Sequence, residues 1–279
     1  MLYFIINVIC SILSTTLLTI FCNLVKHGYD FYIPILLFIA FLVGYVILTF
    51  LILFAMAIPV RKKTEFNQKD SRFYRFVMEH TFSYLDLLGR VKIHFEGKEK
   101  INKNQRVVFV CNHKSKFDPI VVSDKLKGYK ISWVAKKSLF KMPLVNRYMY
   151  KSNFLPLDRK DLKQGLRVIK QAVTYLNEDQ CSIGVFPEGT RNTTEDVLLP
   201  FKSGSFKISL LSKTDIVVVA IANTEYVAKR FPFRSTNVYV RVCKVIKYDD
   251  VKDLPSYEIA DMVSKIIEEN VIDLRKRKI

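Results

Sequence analysis

The chain has 279 residues, 44 of them basic and 26 acidic, which is room for one mid-sized domain plus a membrane segment. Residues 1–60 hold only Lys26 and Asp30 as charged residues, so the whole formal charge of +18 lies in residues 61–279, with 43 basic against 25 acidic side chains. Such a balance favours an anionic partner (nucleic acid, anionic lipid or a phosphorylated substrate). The scattered Cys10, Cys22, Cys111, Cys181 and Cys243 exclude a disulfide framework or a zinc site.

Residues 1–25 and 31–60 are two runs without a charged side chain, separated by "KHGYD". A helix crossing a bilayer needs ~20 apolar residues, so either run is long enough, and residues 1–60 are expected to form a membrane-anchoring helical hairpin. A cleaved signal peptide is not expected, because the first run lacks a basic start and exceeds the usual apolar length. "RKK" at Arg61–Lys63 follows the second run, and the excess of positive charge on the inner side of membranes then puts residues 61–279 in the cytoplasm. A hairpin embedded in one leaflet has the same composition.

Residues 61–70 read as a linker, and residues 61–90 as a connecting segment built on an amphipathic helix over 70–88. Its spacing puts Phe73, Phe76, Val77, His80, Tyr84, Leu87 and Leu88 near one face and Arg72, Arg75, Glu79 and Asp86 mostly elsewhere. That face either packs on the domain, with His80 as a core histidine, or lies on headgroups. Residues 91–279 alternate short apolar runs (91–97, 106–111, 131–135, 154–157, 182–187, 215–221 and 237–246) with helical patterns over 162–176, 203–211 and 256–274. The expectation is an α/β fold, a mixed sheet with flanking helices. The closing "LRKRK" (274–278) either adds to the basic surface or stays a solvated tail.

Three stretches carry candidate chemistry. In "NHKSKFDP", Asn112 and His113 leave a strand, Asp118 fits a helix N-cap and Pro119 the first helical turn. A carboxylate on the imidazole Nδ1–H would leave Nε2 to accept a proton. Five extended residues would separate the two by up to ~17 Å, but the curl into the helix can bring them together. Capping and orienting are compatible for one carboxylate. "FPEGTRN" ends another strand with Glu188, Gly189, Thr190 and Arg191, a carboxylate, backbone amides and a guanidinium fit for a polyol phosphate. "NFLPLDRKD" sets Arg159 past a third strand, Lys136 and Lys137 follow a fourth, and Lys202 stands in "PFKSG". No Gly-x-Ser-x-Gly elbow is present, which argues against a serine hydrolase of that type.

"NHKSKFD" resembles the N-H-x4-D block of the glycerolipid acyltransferases, specifically the 1-acylglycerol-3-phosphate acyltransferase family. "NFLPLDR", "FPEGTR" and "VVVAI" (217–221) resemble its second, third and fourth blocks, and the likeness spans roughly residues 90–225. Asn153 stands where the second block often has glycine, and Val218 where the fourth often has proline. The resemblance implies His113 as general base, Asp118 as its partner, and Arg159, Glu188, Gly189 and Arg191 around a glycerol phosphate. Asn112, Thr190, Lys137 and Lys202 complete the candidate binding set. It further implies a membrane-bound enzyme that acylates the sn-2 hydroxyl of lysophosphatidic acid, a membrane lipid, to phosphatidic acid. The co-substrate is a thioester of acyl carrier protein or coenzyme A, with no metal, no cofactor and no nucleic acid. Glycerol 3-phosphate or another lysophospholipid is the alternative acceptor, and a non-enzymatic module binding anionic lipid is the alternative of a different class.

Overall fold

The computed structural model describes residues 2–62 and 64–278. Met1, Lys63 (the last residue of the "RKK" run) and Ile279 lie outside the described residues. The chain divides into two compact units, Met1–Arg61 and Lys62–Ile279.

The first unit is a pair of helices, α1 (Leu2–Phe21) and α2 (Tyr32–Ala57). At ~1.5 Å per residue they are roughly 30 and 39 Å long, enough to cross a hydrocarbon core of ~30 Å. Asn7, Ser11 and Thr15, four residues apart on α1, are buried. The Thr49 hydroxyl of α2 donates to Asn7 Oδ1 at 3.0 Å, and the Ser14 and Tyr45 hydroxyls lie 2.7 Å apart. Leucine, isoleucine and phenylalanine side chains of both helices are exposed instead. Polar groups between the helices and apolar groups outside is the arrangement of a helix pair in lipid, where a polar side chain must find its partner within the protein.

The second unit runs α3 (Arg72–Leu88), β1 (Val91–Glu96), β2 (Val108–Cys111), α4 (Asp118–Lys125), β3 (Ile131–Lys136), α5 (Val145–Lys151), β4 (Leu155–Leu157) and α6 (Leu162–Asn177). It continues with β5 (Ser182–Val185), α7 (Lys207–Ser212), β6 (Ile216–Ala222), α8 (Val227–Arg230), β7 (Thr236–Ile246), α9 (Tyr248–Val251) and α10 (Ser256–Arg275). The strands form one mixed sheet in the order β1-β7-β6-β2-β5-β3-β4. Its pairs are parallel except β6 with β7. Central strands buried on both faces read as unbroken apolar runs. On β6, Ile216, Val218 and Ala220 join a core with α6, α7 and α10, while Val217, Val219 and Ile221 join one with α3, α4 and α5.

Helix α3 buries part of the face its apolar spacing predicts, Val77 and Tyr84, together with residues that the spacing places elsewhere. Phe73, Phe76 and Leu87 are exposed, whereas Arg75 and Asp86 are each only 4% exposed. The Arg75 guanidinium donates to Asp70, to the Ile131 and Ser152 carbonyls and to Ser132 Oγ at 2.7–3.1 Å. A fully partnered guanidinium can be buried, and here it fastens α3 to β3. His80 is half-buried, its Nδ1 2.8 Å from the Phe76 carbonyl oxygen and its ring 4.0 Å from the Phe76 ring, so it is not a core residue.

The stretch read as a linker is tied down. Asn67 Nδ2 donates to Asn153 Oδ1 at 2.7 Å, the Tyr175 hydroxyl donates to the Asn67 carbonyl, and Arg167 pairs with Glu65 at 3.2 Å. Asn153 itself has φ +61°, a left-handed conformation that asparagine tolerates better than most residues. Val218 lies where the register between β6 and β7 shifts. The basic tail is also held: Arg275 pairs with Glu225 at 3.7 Å, and Arg277 pairs with Glu96.

Candidate active site

Because β2 to β6 are mutually parallel, their carboxyl ends share one edge of the sheet, where α/β proteins commonly carry their ligands. The loops leaving β2, β3, β4 and β5 bring the candidate residues of "NHKSKFD", Lys137, Arg159 and "FPEGTR" to that edge.

His113 Nδ1 lies 2.7 Å from Asp118 Oδ2, so the loop curls where an extended chain would hold them far apart. The same oxygen accepts the backbone N–H groups of Lys114 and Ser115 at 2.7 and 2.8 Å, and the Thr224 hydroxyl donates to Oδ1. Asp118 is 0% exposed, and these donors replace the water it has lost. It is not the N-cap: α4 already includes it, Phe117 precedes the helix, and the carboxylate turns back to the loop. An ionised carboxylate only accepts, so the contact calls for a proton on Nδ1, and in the neutral ring that tautomer has its lone pair on Nε2. The His113 ring stacks on Phe186 (4.2 Å), which stacks on Trp133 (4.7 Å). Gly184 makes that stack possible, since a Cβ there would sit 2.5 Å from the indole.

Glu188 and Asn112, both placed in the candidate binding set, bond to the main chain. Glu188 Oε1 accepts the His113 N–H at 2.6 Å and Oε2 the Leu199 N–H at 3.0 Å. Burial pushes the Glu188 carboxyl above its usual range, and the two N–H groups offset part of that rise. Asn112 Nδ2 donates to the Ile221 carbonyl at 2.9 Å and Oδ1 accepts the Ile221 N–H at 2.8 Å, joining the end of β2 to β6. Gly189 has φ +70° in a turn closed by its N–H onto the Phe186 carbonyl at 2.9 Å. The aliphatic stem of Lys202 lies directly over it, so a Cβ at Gly189 would come within 2.9 Å.

Thr190, Arg191, Arg159 and Lys202 are exposed on this edge. Burial, then the charge of Arg191, holds the Arg159 guanidinium below its usual range, so the two cations sense each other. Among the described residues neither has a hydrogen-bonded carboxylate. Lys137 is otherwise engaged, 3.4 Å from Asp158.

Sequence reasoning missed Thr224, Phe186 and Trp133. Phe186 stands inside the quoted block and Trp133 is the single tryptophan, but no local signal tied either to His113, and Thr224 is 106 residues from Asp118. A separate hollow, lined by Asp70, Arg72, Arg75, Phe76, Glu79, Gly128 and Lys130, lies by the start of β3, at the opposite edge from these residues.

The Acyltransferase family model matches residues 92–222. The 1-acyl-sn-glycerol-3-phosphate acyltransferase of Borreliella burgdorferi is 32% identical over 196 residues, 69% of this chain and 75% of that protein. The enzyme of the same name from Bacillus subtilis is 26% identical over 204 residues, covering 73% of this chain and 98% of its own length. In fold, the chain is similar to the crystal structure of the 1-acyl-sn-glycerophosphate acyltransferase of Thermotoga maritima. The TM-score is 0.59 over 82% of this chain and 89% of that one, at 21% identity. The mixed sheet with its edge of motif loops and the extent of these matches lead to one conclusion: the chain is an acyltransferase and belongs to the 1-acyl-sn-glycerol-3-phosphate acyltransferase family.

Proposed function

We propose that this acyltransferase moves a fatty acyl group from a thioester to the sn-2 hydroxyl of 1-acyl-sn-glycerol 3-phosphate, giving phosphatidic acid. The observation that carries the reading is an imidazole oriented by Asp118 on the same edge as two guanidiniums that have no carboxylate partner among the described residues. His113 Nε2 takes the proton of the acceptor hydroxyl as its oxygen attacks the thioester carbonyl carbon. The carbon–sulfur bond then breaks, and the imidazolium returns the proton to the departing thiolate. The acyl group arrives activated, so neither an enzyme nucleophile nor a cofactor is needed. Arg159 and Arg191 hold the acceptor phosphate, with Lys202 and Thr190 beside them; Glu188 and Asn112 position the backbone around the base. A positioned base contributes ~10²–10⁴-fold to rate, and fixing the two substrates together contributes further.

The apolar hairpin keeps the enzyme in the membrane that supplies its lipid acceptor, and the basic run after α2 puts the catalytic unit on the cytoplasmic side. Acyl carrier protein or coenzyme A delivers the acyl group.

The test is acyl transfer by the purified protein in detergent, with each donor, to lysophosphatidic acid and to glycerol 3-phosphate, with His113→Ala alongside. Turnover of lysophosphatidic acid that disappears in the variant supports the reading. Retained turnover in His113→Ala removes the base, and preference for glycerol 3-phosphate replaces the acceptor.

A further inference from the structure

A hydrogen bond at Nδ1 fixes one atom of the His113 ring and leaves the ring free to swing about that point. Aiming Nε2 takes a second constraint, on the face of the ring. Phe186 provides it, stacked on the imidazole with 4.2 Å between centroids and 21° between planes. The loop after β5 therefore holds His113 twice, by its backbone N–H through Glu188 and by its ring through Phe186.

Phe186 is itself only as steady as its neighbour. It stacks on Trp133 at 4.7 Å and 11°, and the three rings follow the order of their strands, β2, β5 and β3. Trp133 is fixed in two ways. Its register partner on β5 is Gly184, where a Cβ would meet three indole atoms at 2.5–2.7 Å, so the ring lies against the β5 backbone itself. A glycine inside a strand marks such a close approach. The indole Nε1–H donates to Ser123 Oγ at 2.9 Å. Ser123 is buried on α4, the helix that also carries Asp118 in its first turn.

These contacts close a circuit that runs from His113 to Asp118, along α4 to Ser123, then through Trp133 and Phe186 back to His113. Helix α4 thus sets both constraints on the imidazole, Asp118 at Nδ1 and Ser123 through two stacked rings. Filling a core is the ordinary work of a tryptophan, and a buried indole N–H usually finds some acceptor. A core filler needs no glycine cut into the neighbouring strand, no parallel stack ending on the candidate base, and no acceptor on the helix that carries Asp118.

We propose that Trp133 is a positioning residue for acyl transfer. Through its stack on Phe186 and its bond to Ser123, it sets the plane of the His113 imidazole relative to Asp118, and so the direction in which Nε2 meets the acceptor hydroxyl. This rests on the role of His113 as base proposed above. Trp133 is 1% exposed and has no surface to offer either substrate, so its effect belongs in kcat and not in the acceptor KM.

The test is steady-state acylation of lysophosphatidic acid by the purified full chain in detergent, with a thermal melt of each variant. Trp133→Leu removes the ring behind Phe186 and should lower kcat about 100-fold, the cost of a misplacement of about 1 Å. Trp133→Phe keeps a ring and loses the N–H, and it should lower kcat about 5–10-fold, as should Ser123→Ala, which removes the acceptor. The acceptor KM should stay within about twofold in all three. In a Phe186→Leu background, Trp133→Phe should cost nothing further, because its route to the imidazole is gone. Val238→Ala, in the same apolar core but on β7, should lower the melting temperature and leave kcat intact.

Wild-type kcat in Trp133→Phe and Ser123→Ala, beside an inactive His113→Ala, overturns the positioning role and leaves the base standing. Losses that multiply in the Phe186→Leu background, or an equal fall of kcat in Val238→Ala, reduce Trp133 to core packing and overturn it too. A raised acceptor KM with kcat kept does the same. Should Trp133→Leu not fold, Ser123→Ala decides alone, since it removes a single oxygen. Turnover retained in His113→Ala removes the base, and this role for Trp133 with it.

Discussion

The backbone N–H of His113 donates to Glu188 Oε1 at 2.6 Å, so a carboxylate on the loop after β5 sets the position of an imidazole on the loop after β2. The other oxygen of the same carboxylate accepts the Leu199 N–H, so one side chain joins the two loops. Glu188 thus acts on the backbone around the candidate base, and its two oxygens both need to accept.

Glu188→Gln replaces one of those oxygens with an NH₂ that faces an N–H donor. Displacement of a reacting group by about 1 Å costs ~10²-fold in rate, so kcat should fall by about that factor with little change in acceptor KM. Steady-state kinetics decides it. A raised KM with kcat preserved would make Glu188 part of the acceptor pocket instead.

Thr224 should matter although it lies far from the quoted blocks. Its hydroxyl donates to Asp118 Oδ1, and hydrogen bonds to charged groups are worth ~1.5–3 kcal/mol. Thr224→Val should lower kcat about 10-fold and Thr224→Ser should restore most of it. Equal losses in the two variants would point to packing rather than to the hydroxyl.

Arg159→Ala and Arg191→Ala should each raise the KM for lysophosphatidic acid about 10–100-fold, from the loss of charge-assisted hydrogen bonds. Turnover of a monoacylglycerol, which has no phosphate, should not change. An unaltered KM for lysophosphatidic acid would release both residues from the phosphate.

Asp86 predicts a pH effect on stability. Burial, then the charge of Asp124, pushes its carboxyl from 3.8 up to about 8, and neither oxygen has a hydrogen-bond partner among the described residues. Between these values the unfolded chain has released the proton and the folded chain retains it. Stability therefore falls as pH rises through that window and levels off above it. Asp86→Asn should stabilise the fold by about 1–2 kcal/mol at pH ~5 and by about 3 kcal/mol or more at pH ~9. Thermal melts at the two pH values test this, and a gain of equal size at both would refute it.

Patterns local in sequence were readable directly. The apolar runs of β2, β5 and β6 stand out because strands buried on both faces lack polar interruptions, and α6 and α10 stand out by their spacing. Short elements did not: α5, α8 and α9 have seven residues or fewer, too few to show a period. The face of α3 was misjudged in part, because spacing ranks Phe73 and Phe76 above Arg75, whereas partners from Asp70, Ser132 and two carbonyls offset the desolvation of the buried guanidinium.

By itself, the sequence determined the apolar hairpin, the location of the charge, the alternation of strands and helices, and which residue types stand at strand ends. Each of these follows from composition or from a period of a few residues. Only the tertiary structure decided that Asp118 orients the imidazole without also capping α4, that Glu188 and Asn112 bond to the main chain, and that Thr224 completes the set around Asp118. Glu188 and His113, Asn112 and Ile221, and Thr224 and Asp118 lie 75 to 109 residues apart in sequence. Hydrogen bonds between them depend on which strands lie side by side and where those strands end, and no stretch of the chain read alone contains that information.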